Sequence, residues 1–384
     1  MATDGKPYRV YRGGRSRGRV PLQRPQASDQ PGSGAGPDAP SERRRRWPRR
    51  RWIVLGVLAL LALLVVWGGL SLLAVSRGLG DANERVPAGL RGQLADDAGL
   101  IVSKPSILLV LGTDGGVTRP GAARSDSVML VRTDPAHKRL SYLSIPRDLQ
   151  VSIPGYGVAK INAASQIGGP TLTLRTVRDL VGLPVNHVLT VDFDRFREVI
   201  DALGGIEVDV PRPIRSKRFD CPYKTQAECS RWRGWRFARG RQHMDGRRAL
   251  VYSRIRVNEL DPSETDFDRT RRQQQVVQAT LGEATGLGTA LRLPILGDDL
   301  VKPLATDLST WQLVQLGWVS MRADSGNGVH CRLGGDPATV SGESVILPSE
   351  DNVETVAMFT GRSAPLPPPK GLPYGPGCRV GDAR

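Results

Sequence analysis

Apolar residues form one long uninterrupted run near the start of the chain. Residues 52–75, WIVLGVLALLALLVVWGGLSLLAV, contain no charged side chain. A helix of this length spans about 36 Å, whereas the hydrocarbon core of a bilayer is about 30 Å thick. A signal peptide has a shorter apolar core, of about 7–15 residues. The run therefore predicts a transmembrane helix over residues 52–75.

Beyond residue 104, short apolar runs alternate with amphipathic stretches. Helical spacing with suitable end residues predicts helices at 170–182, 193–205, 309–321 and from Asp266 or Asp268 onward. Apolar runs that end at Gly, Pro or charged residues predict strands at 107–111, 127–132, 140–145, 206–210 and 248–255. This alternation predicts an α/β fold, a mixed central β-sheet flanked by helices in an α-β-α sandwich.

Composition sets the limits of the folded part. Residues 1–51 are rich in Gly, Pro, Ser and Arg and poor in aliphatic side chains. Such a segment cannot bury enough apolar surface to offset its ordering entropy, so we predict a disordered basic tail. We predict a juxtamembrane stalk at 76–104, a folded domain at 105–360 and a Pro/Gly-rich tail at 361–384.

Positive charge is concentrated before the apolar run. Residues 1–51 hold 14 Lys and Arg against 4 Asp and Glu, which accounts for +10 of the net charge of +16. A cluster of arginines directly precedes the run, and only Arg77 follows it closely. The positive-inside rule therefore predicts a cytoplasmic N-terminus and an extracytoplasmic domain. The tail could alternatively bind nucleic acid, but the adjoining apolar run favours a lipid bilayer as partner, and no nucleic acid is expected.

All four cysteines lie in the predicted extracytoplasmic part. An even count in an oxidising compartment predicts two disulfides, Cys221–Cys229 and Cys331–Cys378. Four free thiols are the alternative. A zinc site is disfavoured because the histidines are scattered and no CxxC pair occurs.

Polar residues follow the first three predicted strands of the domain. If these strands form an antiparallel meander, Asp114, Asp126 and Arg147 meet at one edge of the sheet. Two carboxylates there suit Mg²⁺, and an arginine beside them suits a phosphate. The alternative is that both aspartates only cap turns.

A second group of arginines lies in residues 252–275, YSRIRVNELDPSETDFDRTRRQQQ. Arg254 and Arg256 are two apart at the predicted end of a strand, so they should face the same way. Arg269 and Gln273 are four apart on one face of a helix. Converging guanidinium groups beside Mg²⁺ would form a diphosphate site, whereas the alternative is a solvated charged surface.

Several blocks in this order resemble the LytR–CpsA–Psr family over about residues 105–281. They are LLVLGTD, RSDSVMLV, LSIPRDLQVSIPGYGVAKINAA, ALGGIEVDV, GRQHMDGRRALVYSRIR and DFDRTRRQQQ. The resemblance implies a membrane-anchored, Mg²⁺-dependent phosphotransferase. It would move a glycopolymer from a polyprenyl-diphosphate carrier onto peptidoglycan through a phosphodiester. The bilayer, the lipid-linked glycopolymer and the peptidoglycan acceptor are the implied partners.

The resemblance also implies roles for individual residues. Asp114 and Asp126 would hold the metal. The diphosphate would be bound by Arg147, Lys160, Arg254, Arg256, Arg269 and Gln273, with Asn162 near the site. Among these residues Asp126, Arg147, Arg254 and Arg256 are the candidate catalytic residues, and Asp126 or Asp148 could serve as the base. A membrane-anchored transcriptional regulator, a non-catalytic polyprenyl-phosphate binding module and a pyrophosphatase are the alternative functions.

Overall fold

The computed structural model describes residues 49–113, 125–216, 221, 223, 225–264, 266–369, 371–372 and 374–381. The predicted basic tail, apart from its last three residues, lies outside them, as do Asp114 and the side chain of Asp126. The chain forms two units, residues 1–55 and 56–384. The described part of the first unit, 49–55, is helical.

Ten helices are present in the described residues. They are α1 Arg49–Glu84, α2 Ala88–Arg91, α3 Ile161–Val181, α4 Phe193–Leu203, α5 Gln226–Arg231, α6 Gly246–Arg254, α7 Asp266–Ala284, α8 Leu287–Val301, α9 Thr310–Arg322 and α10 Asn352–Thr360. In the part of the chain that the structure describes, α1 alone is long and apolar enough to cross a membrane. It extends past the predicted span by nine residues at its C-terminal end.

Fifteen strands occur in the same residues. They are β1 Ile107–Thr113, β2 Ser125–Asp134, β3 Arg139–Ile145, β4 Gln150–Ile153, β5 Gly157–Lys160, β6 His187–Asp192, β7 Ile206–Val210, β8 Ile214–Arg215, β9 Arg236–Phe237, β10 Gly240–Met244, β11 Ala305–Thr306, β12 Val329–Arg332, β13 Gly335–Val340, β14 Glu343–Pro348 and β15 Gly377–Val380. Seven of them form a central sheet in the order β11-β6-β1-β2-β3-β12-β15, and the others form two-stranded pairs around it.

The central sheet is mixed, as the sequence predicts. Strands β1, β2 and β3 form the expected antiparallel meander. Strand β6 is parallel to β1, and β12 is parallel to β3. Strands β1, β3, β6 and β12 therefore all end at the same edge of the sheet, which we call the upper edge. Strand β2 begins there.

Helices cover both faces of the sheet. On one face, Leu109, Leu130 and Leu143 pack with residues of α3 and α10 in a core of fully buried aliphatic side chains. On the other face, Met129 and Tyr142 pack against α9 and the middle of α7. The α-β-α sandwich predicted from the sequence is confirmed, because alternate residues of each strand are buried against a helical layer.

Two predicted elements differ in the structure. Helix α3 begins at Ile161 rather than at Pro170, and its non-helical residues Gly168 and Gly169 produce a kink just before that proline. The strand predicted at 248–255 is wrong, since these residues form α6. Asp245 caps α6 by accepting a hydrogen bond from the backbone N–H of Arg248 at 2.7 Å. Its buried residues follow a helical spacing and not an alternation of two.

The C-terminal segment is part of the fold. Residues 377–380, within the predicted Pro/Gly-rich tail, form β15 at the edge of the central sheet. Cys378 lies opposite Cys331 in the β12–β15 register and is joined to it by a disulfide. The structure also contains the Cys221–Cys229 disulfide.

Candidate functional site

The two predicted metal-binding aspartates belong to segments that meet at the upper edge. Thr113, the last residue of β1, pairs with Ser125 at the start of β2. Asp114 follows Thr113, and Asp126 follows Ser125. Because Asp114 and the side chain of Asp126 lie outside the described residues, the Mg²⁺ site stays a prediction.

Arg147 reaches the same edge from β3. The strand ends at Ile145, Pro146 stops it, and Arg147 comes next with its side chain 15% exposed. Its Nε lies 3.4 Å from Oδ2 of Asp148. Asp148 is 30% exposed, so the candidate base and the candidate catalytic arginine form one partly buried ion pair.

A hairpin brings Lys160 and Asn162 back beside Arg147. Strands β4 and β5 pair with Gln150 opposite Lys160. The N–H of Asn162 then donates to the carbonyl oxygen of Arg147 at 3.2 Å. The Lys160 Nζ lies 3.1 Å from Oε2 of Glu343, whose side chain is 67% exposed. Such an exposed pair contributes about 1 kcal/mol or less, so a phosphate oxygen can compete for the ammonium group.

Gln274 anchors the first half of α7 to the central sheet near its upper edge. The Gln274 side-chain amide donates to Oγ of Ser144 at 2.8 Å and to the carbonyl oxygen of Cys331 at 3.1 Å. Ser144 is the penultimate residue of β3, so the first turns of α7 lie near the upper edge. Arg269, which is 4% exposed, and the half-buried Gln273 belong to these turns.

Arg254 and Arg256 come from the end of α6 and the loop after it. The sequence argument that they share one face of a strand is wrong, because Arg254 is the last helical residue and Ile255 is its C-cap. Both arginine side chains are exposed. Their position is set by Arg272 of α7, whose Nη2 donates to the carbonyl oxygen of Ile255 at 2.5 Å.

Arg272 is itself held by a buried carboxylate. Its Nη1 lies 2.7 Å from Oε2 of Glu264, and the two side chains are only 5% and 2% exposed. The other carboxylate oxygen of Glu264 accepts from the side-chain amide of Asn258 at 2.9 Å. Asn258 in turn accepts from the backbone N–H of Arg215 and of Leu260. This network organises the loop after α6, and sequence reasoning missed it.

Further arginines lie at or near the upper edge that sequence reasoning also missed. Arg332 ends β12, and burial together with the charges of Arg379 and Arg271 lowers its pKa to about 10. Burial also lowers the pKa of Arg271, whose guanidinium is bonded to Asp268. Mutually repelling guanidinium groups in a half-buried place favour an anion. Arg332 reaches the upper edge because β12 pairs with β3 in this register. A strand of four residues gives little local indication of that pairing in the sequence.

The arrangement assembles a basic upper edge from separate parts of the chain. Backbone hydrogen bonds join Lys160 and Asn162 to the Arg147 segment, while α7 supports both its own Arg269 and the loop of Arg256. Cations held on rigid elements can bind and polarise a phosphate or diphosphate without reorganising during reaction. The described residues contain no group of three His, Cys, Asp or Glu side chains suited to a metal.

Comparison with known proteins agrees with this architecture. The sequence pattern of the LytR_cpsA_psr family matches residues 93–358. The polyisoprenyl-teichoic acid–peptidoglycan teichoic acid transferase TagV of Bacillus subtilis strain 168 is 30% identical over 284 residues, 72% of this chain and 69% of TagV. The transferase of the same description named TagU, from Bacillus anthracis, is 32% identical over 252 residues, 63% of this chain and 76% of TagU.

A solved structure shows the same fold. The crystal structure of Bacillus subtilis TagV superposes with a TM-score of 0.53 at 26% identity, covering 67% of this chain and 97% of that one. The region matched by the family pattern includes the meander, the segment of Arg147 and Lys160, and residues 254–273. The chain belongs to the LytR_cpsA_psr family.

Proposed function

We propose that this protein transfers a glycopolymer from a polyprenyl-diphosphate carrier to peptidoglycan, leaving a phosphodiester between the two polymers. The relatives named as polyisoprenyl-teichoic acid–peptidoglycan teichoic acid transferases support this class of reaction. The observation that supports it is that Arg147 follows β3 at the upper edge, while the loop of Arg254 and Arg256 is bonded through Arg272 to the first turns of α7, which lie near that edge.

The proposed step is a substitution at phosphorus. A hydroxyl of the peptidoglycan acceptor attacks the phosphorus next to the glycopolymer and loses its proton to Asp126 or Asp148. The bond from that phosphorus to the bridging oxygen breaks, and polyprenyl monophosphate leaves. Little covalent chemistry falls to the protein, so positioning and charge stabilisation provide most of the rate.

The cationic side chains would share this work. Arg147, Arg254 and Arg256 would neutralise the negative charge on the diphosphate oxygens, and Lys160 would leave Glu343 to contact an outer oxygen. Arg269 and Gln273 would orient the diphosphate from α7. When bound, Mg²⁺ held by Asp114 and Asp126 would add charge neutralisation at the same edge.

A membrane anchor would place this chemistry where both substrates are. We propose that α1 spans the membrane once, with residues 1–51 in the cytoplasm and the domain on the outside, next to the lipid carrier and the wall. The arginine cluster at 43–51 before the span and the two disulfides of the domain support this orientation.

Turnover of a lipid-linked glycan tests the proposal. The full chain, reconstituted in vesicles, is given a radiolabelled polyprenyl-diphosphate-linked glycan with and without peptidoglycan. We expect polyprenyl monophosphate and label on peptidoglycan to appear together, and only when the acceptor is present. Release of the glycan at an equal rate without acceptor would identify a pyrophosphatase, and no turnover in either condition would leave a binding module.

A further inference from the structure

Helix α8 lies directly against the second half of α1. Trp67 Nε1 donates to the carbonyl oxygen of Leu291 at 3.3 Å. A Cβ on Gly297 would come within 2.9 Å of Val75 Cγ2. Residue numbers rise together in both helices along this contact, so α8 runs parallel to α1. Glycine at the crossing lets the two backbones approach closely.

The burial of α1 shows how far this contact extends. Residues 56–66 are exposed on all sides, whereas one face is covered from Trp67 onward. Ser71 is 6% exposed, Val75 is 9% and Leu79 is 2%. Because the apolar run covers residues 52–75, α8 reaches alongside a part of α1 that belongs to the candidate membrane span.

The depth of the contact can be derived from helix geometry. Trp67 lies fifteen residues after Trp52, which is about 22 Å along a helix. The hydrocarbon core is about 30 Å thick, so with Trp52 at one boundary Trp67 and Leu291 lie about 8 Å inside the domain-side boundary. Leu287, four residues before Leu291, lies about one helical turn further into the membrane.

The outer side of α8 is apolar and uncovered. Leu287, Leu291 and Ile295, spaced four residues apart on one face, are 76%, 65% and 79% exposed. Residues 287–297 contain one charged residue, Arg292. Its Nη1 lies beside Gly204 at the end of α4, away from this apolar face.

We propose that the α8 face formed by Leu287, Leu291 and Ile295 is embedded in the bilayer leaflet next to the folded domain. Because α8 runs parallel to α1, it enters the leaflet by its N-terminal end, so that Leu287 lies deepest and Ile295 lies nearest to the membrane surface. The domain is then held to the membrane at two places. A single helix can tilt in the bilayer, whereas α1 and α8 together would restrict the tilt of the domain and so fix which side faces the lipid.

A matched pair of labelled positions tests this. Residues 295 and 353 have the same exposure, 79%, and Val353 lies on α10, on the opposite side of the central sheet from α9. All four native cysteines are in disulfides, so a cysteine at either position is the only thiol to label. Full chains with Ile295→Cys or Val353→Cys carry an NBD fluorophore in vesicles of phosphatidylethanolamine and phosphatidylglycerol.

We expect the label at 295 to be blue-shifted and quenched by spin-labelled lipids, and the label at 353 to behave as in water. Leu291→Cys repeats the test at a second position, in case one substitution disturbs α8. Equal quenching at 295 and 353, or none at 291 and 295, would overturn the proposal. The experiment is repeated at less than one protein per vesicle, and quenching that disappeared there would assign the surface to a second copy of the chain and also overturn it.

Discussion

The guanidinium of Arg272 donates to the carbonyl oxygen of Ile255 at 2.5 Å, which ties α7 to the peptide between Arg254 and Arg256. The same guanidinium is paired with the buried carboxylate of Glu264. The many charges of residues 252–275 therefore have two different tasks. Arg272 and Glu264 build the support, and this support holds the loop of the exposed Arg254 and Arg256 against the first turns of α7.

Removing this support should affect stability and activity separately. Arg272→Met leaves Glu264 buried without its cation, which should cost about 3–5 kcal/mol. Adding Glu264→Leu removes the unpaired charge and should restore much of that stability. Transfer by the double variant should nonetheless stay low, because nothing holds the Ile255 carbonyl. The measurements are denaturant unfolding of the detergent-solubilised chain and the rate of polyprenyl monophosphate release.

If the double variant regained both stability and rate, Arg272 would not position the site. A Gln275 variant should not lower the transfer rate separately from stability. Its side chain bonds to Tyr252 and to the backbone of Asp209, and not to the Ile255 peptide that Arg272 holds.

Loss of an exposed arginine at the upper edge should reduce rate without unfolding the protein. We expect Arg254→Ala and Arg256→Ala to slow transfer roughly 100–1,000-fold, as does removal of a donor to a developing oxyanion. Lys at either position should rescue partly, because an ammonium lacks the planar fork of a guanidinium. Initial rates measured beside a melting curve check this.

Arg241→Ala is the matched control for these variants. Arg241 is 77% exposed in side chain and pairs with Glu207 across β10 and β7, outside the proposed site. Arg241→Ala should therefore leave the transfer rate nearly unchanged. Full activity of Arg254→Ala and Arg256→Ala would make those arginines a solvated surface, and so would a loss that only tracked their melting temperatures.

The Mg²⁺ concentration that transfer requires should change when Asp114 is replaced. One carboxylate that follows β1 in the sequence and another at the start of β2 are a donor set that Mg²⁺ favours. Asp114→Ala should therefore require more Mg²⁺ for half-maximal transfer and should also lower the maximal rate. Titration of Mg²⁺ into the chelator-treated chain measures both. An unchanged Mg²⁺ titration in Asp114→Ala, or full activity of the native chain in chelator, would contradict the predicted metal site.

A buried histidine should make stability depend on pH. His187 bonds to Asp307 at 2.8 Å and to Asp97 at 3.0 Å. Burial alone lowers its pKa, but the hydrogen bond and charge of Asp307, and then those of Asp97, outweigh burial and raise the pKa overall. A raised folded-state pKa stabilises the protein fully below the unfolded value of about 6.5 and less as pH rises through the folded pKa.

The comparison is the melting temperature of the native chain and of His187→Gln between about pH 5.5 and 9, a range that brackets the unfolded pKa of about 6.5. The advantage of the native chain should be largest at the acid end and should decline above about pH 6.5. An advantage that was constant across this range would mean that His187 acts through its hydrogen bonds alone and not through its charge.

Local patterns predicted the parts of the fold that local sequence determines. The apolar runs of β1, β2 and β3 and the capped helix at Ser309 are visible without tertiary context. Most of α6 was misassigned because a short stretch with a few apolar residues, Ala249 to Tyr252, fits a strand and a helix alike. Strands β12 and β15 have four residues each. Strand β12 pairs with β3 and β15 pairs with β12, and no local sequence pattern encodes these pairings.

The site divides in the same way. Arg147 and the residues of 254–273 stand in recognisable motifs, so the sequence could name them as candidates, although it placed Arg254 and Arg256 on a strand where the structure has the end of α6 and a loop. The bond between Arg272 and Ile255 could not be predicted, since it requires the position of α7 relative to the end of α6. Arg332 was missed for the same reason, because only the register of β12 brings it to the upper edge.

The last strand of the described residues, β15, forms one edge of the central sheet. Without residues 377–380, β12 has no partner on its outer side, and Cys331 lacks the thiol of Cys378. Strands β1 to β3 can pair early, whereas the β12 edge stays open to pairing with another chain. The fold is thus complete only when residues 377–380 have paired with β12 and an oxidant has joined Cys331 to Cys378, so a copy truncated before β15 would keep an open strand edge.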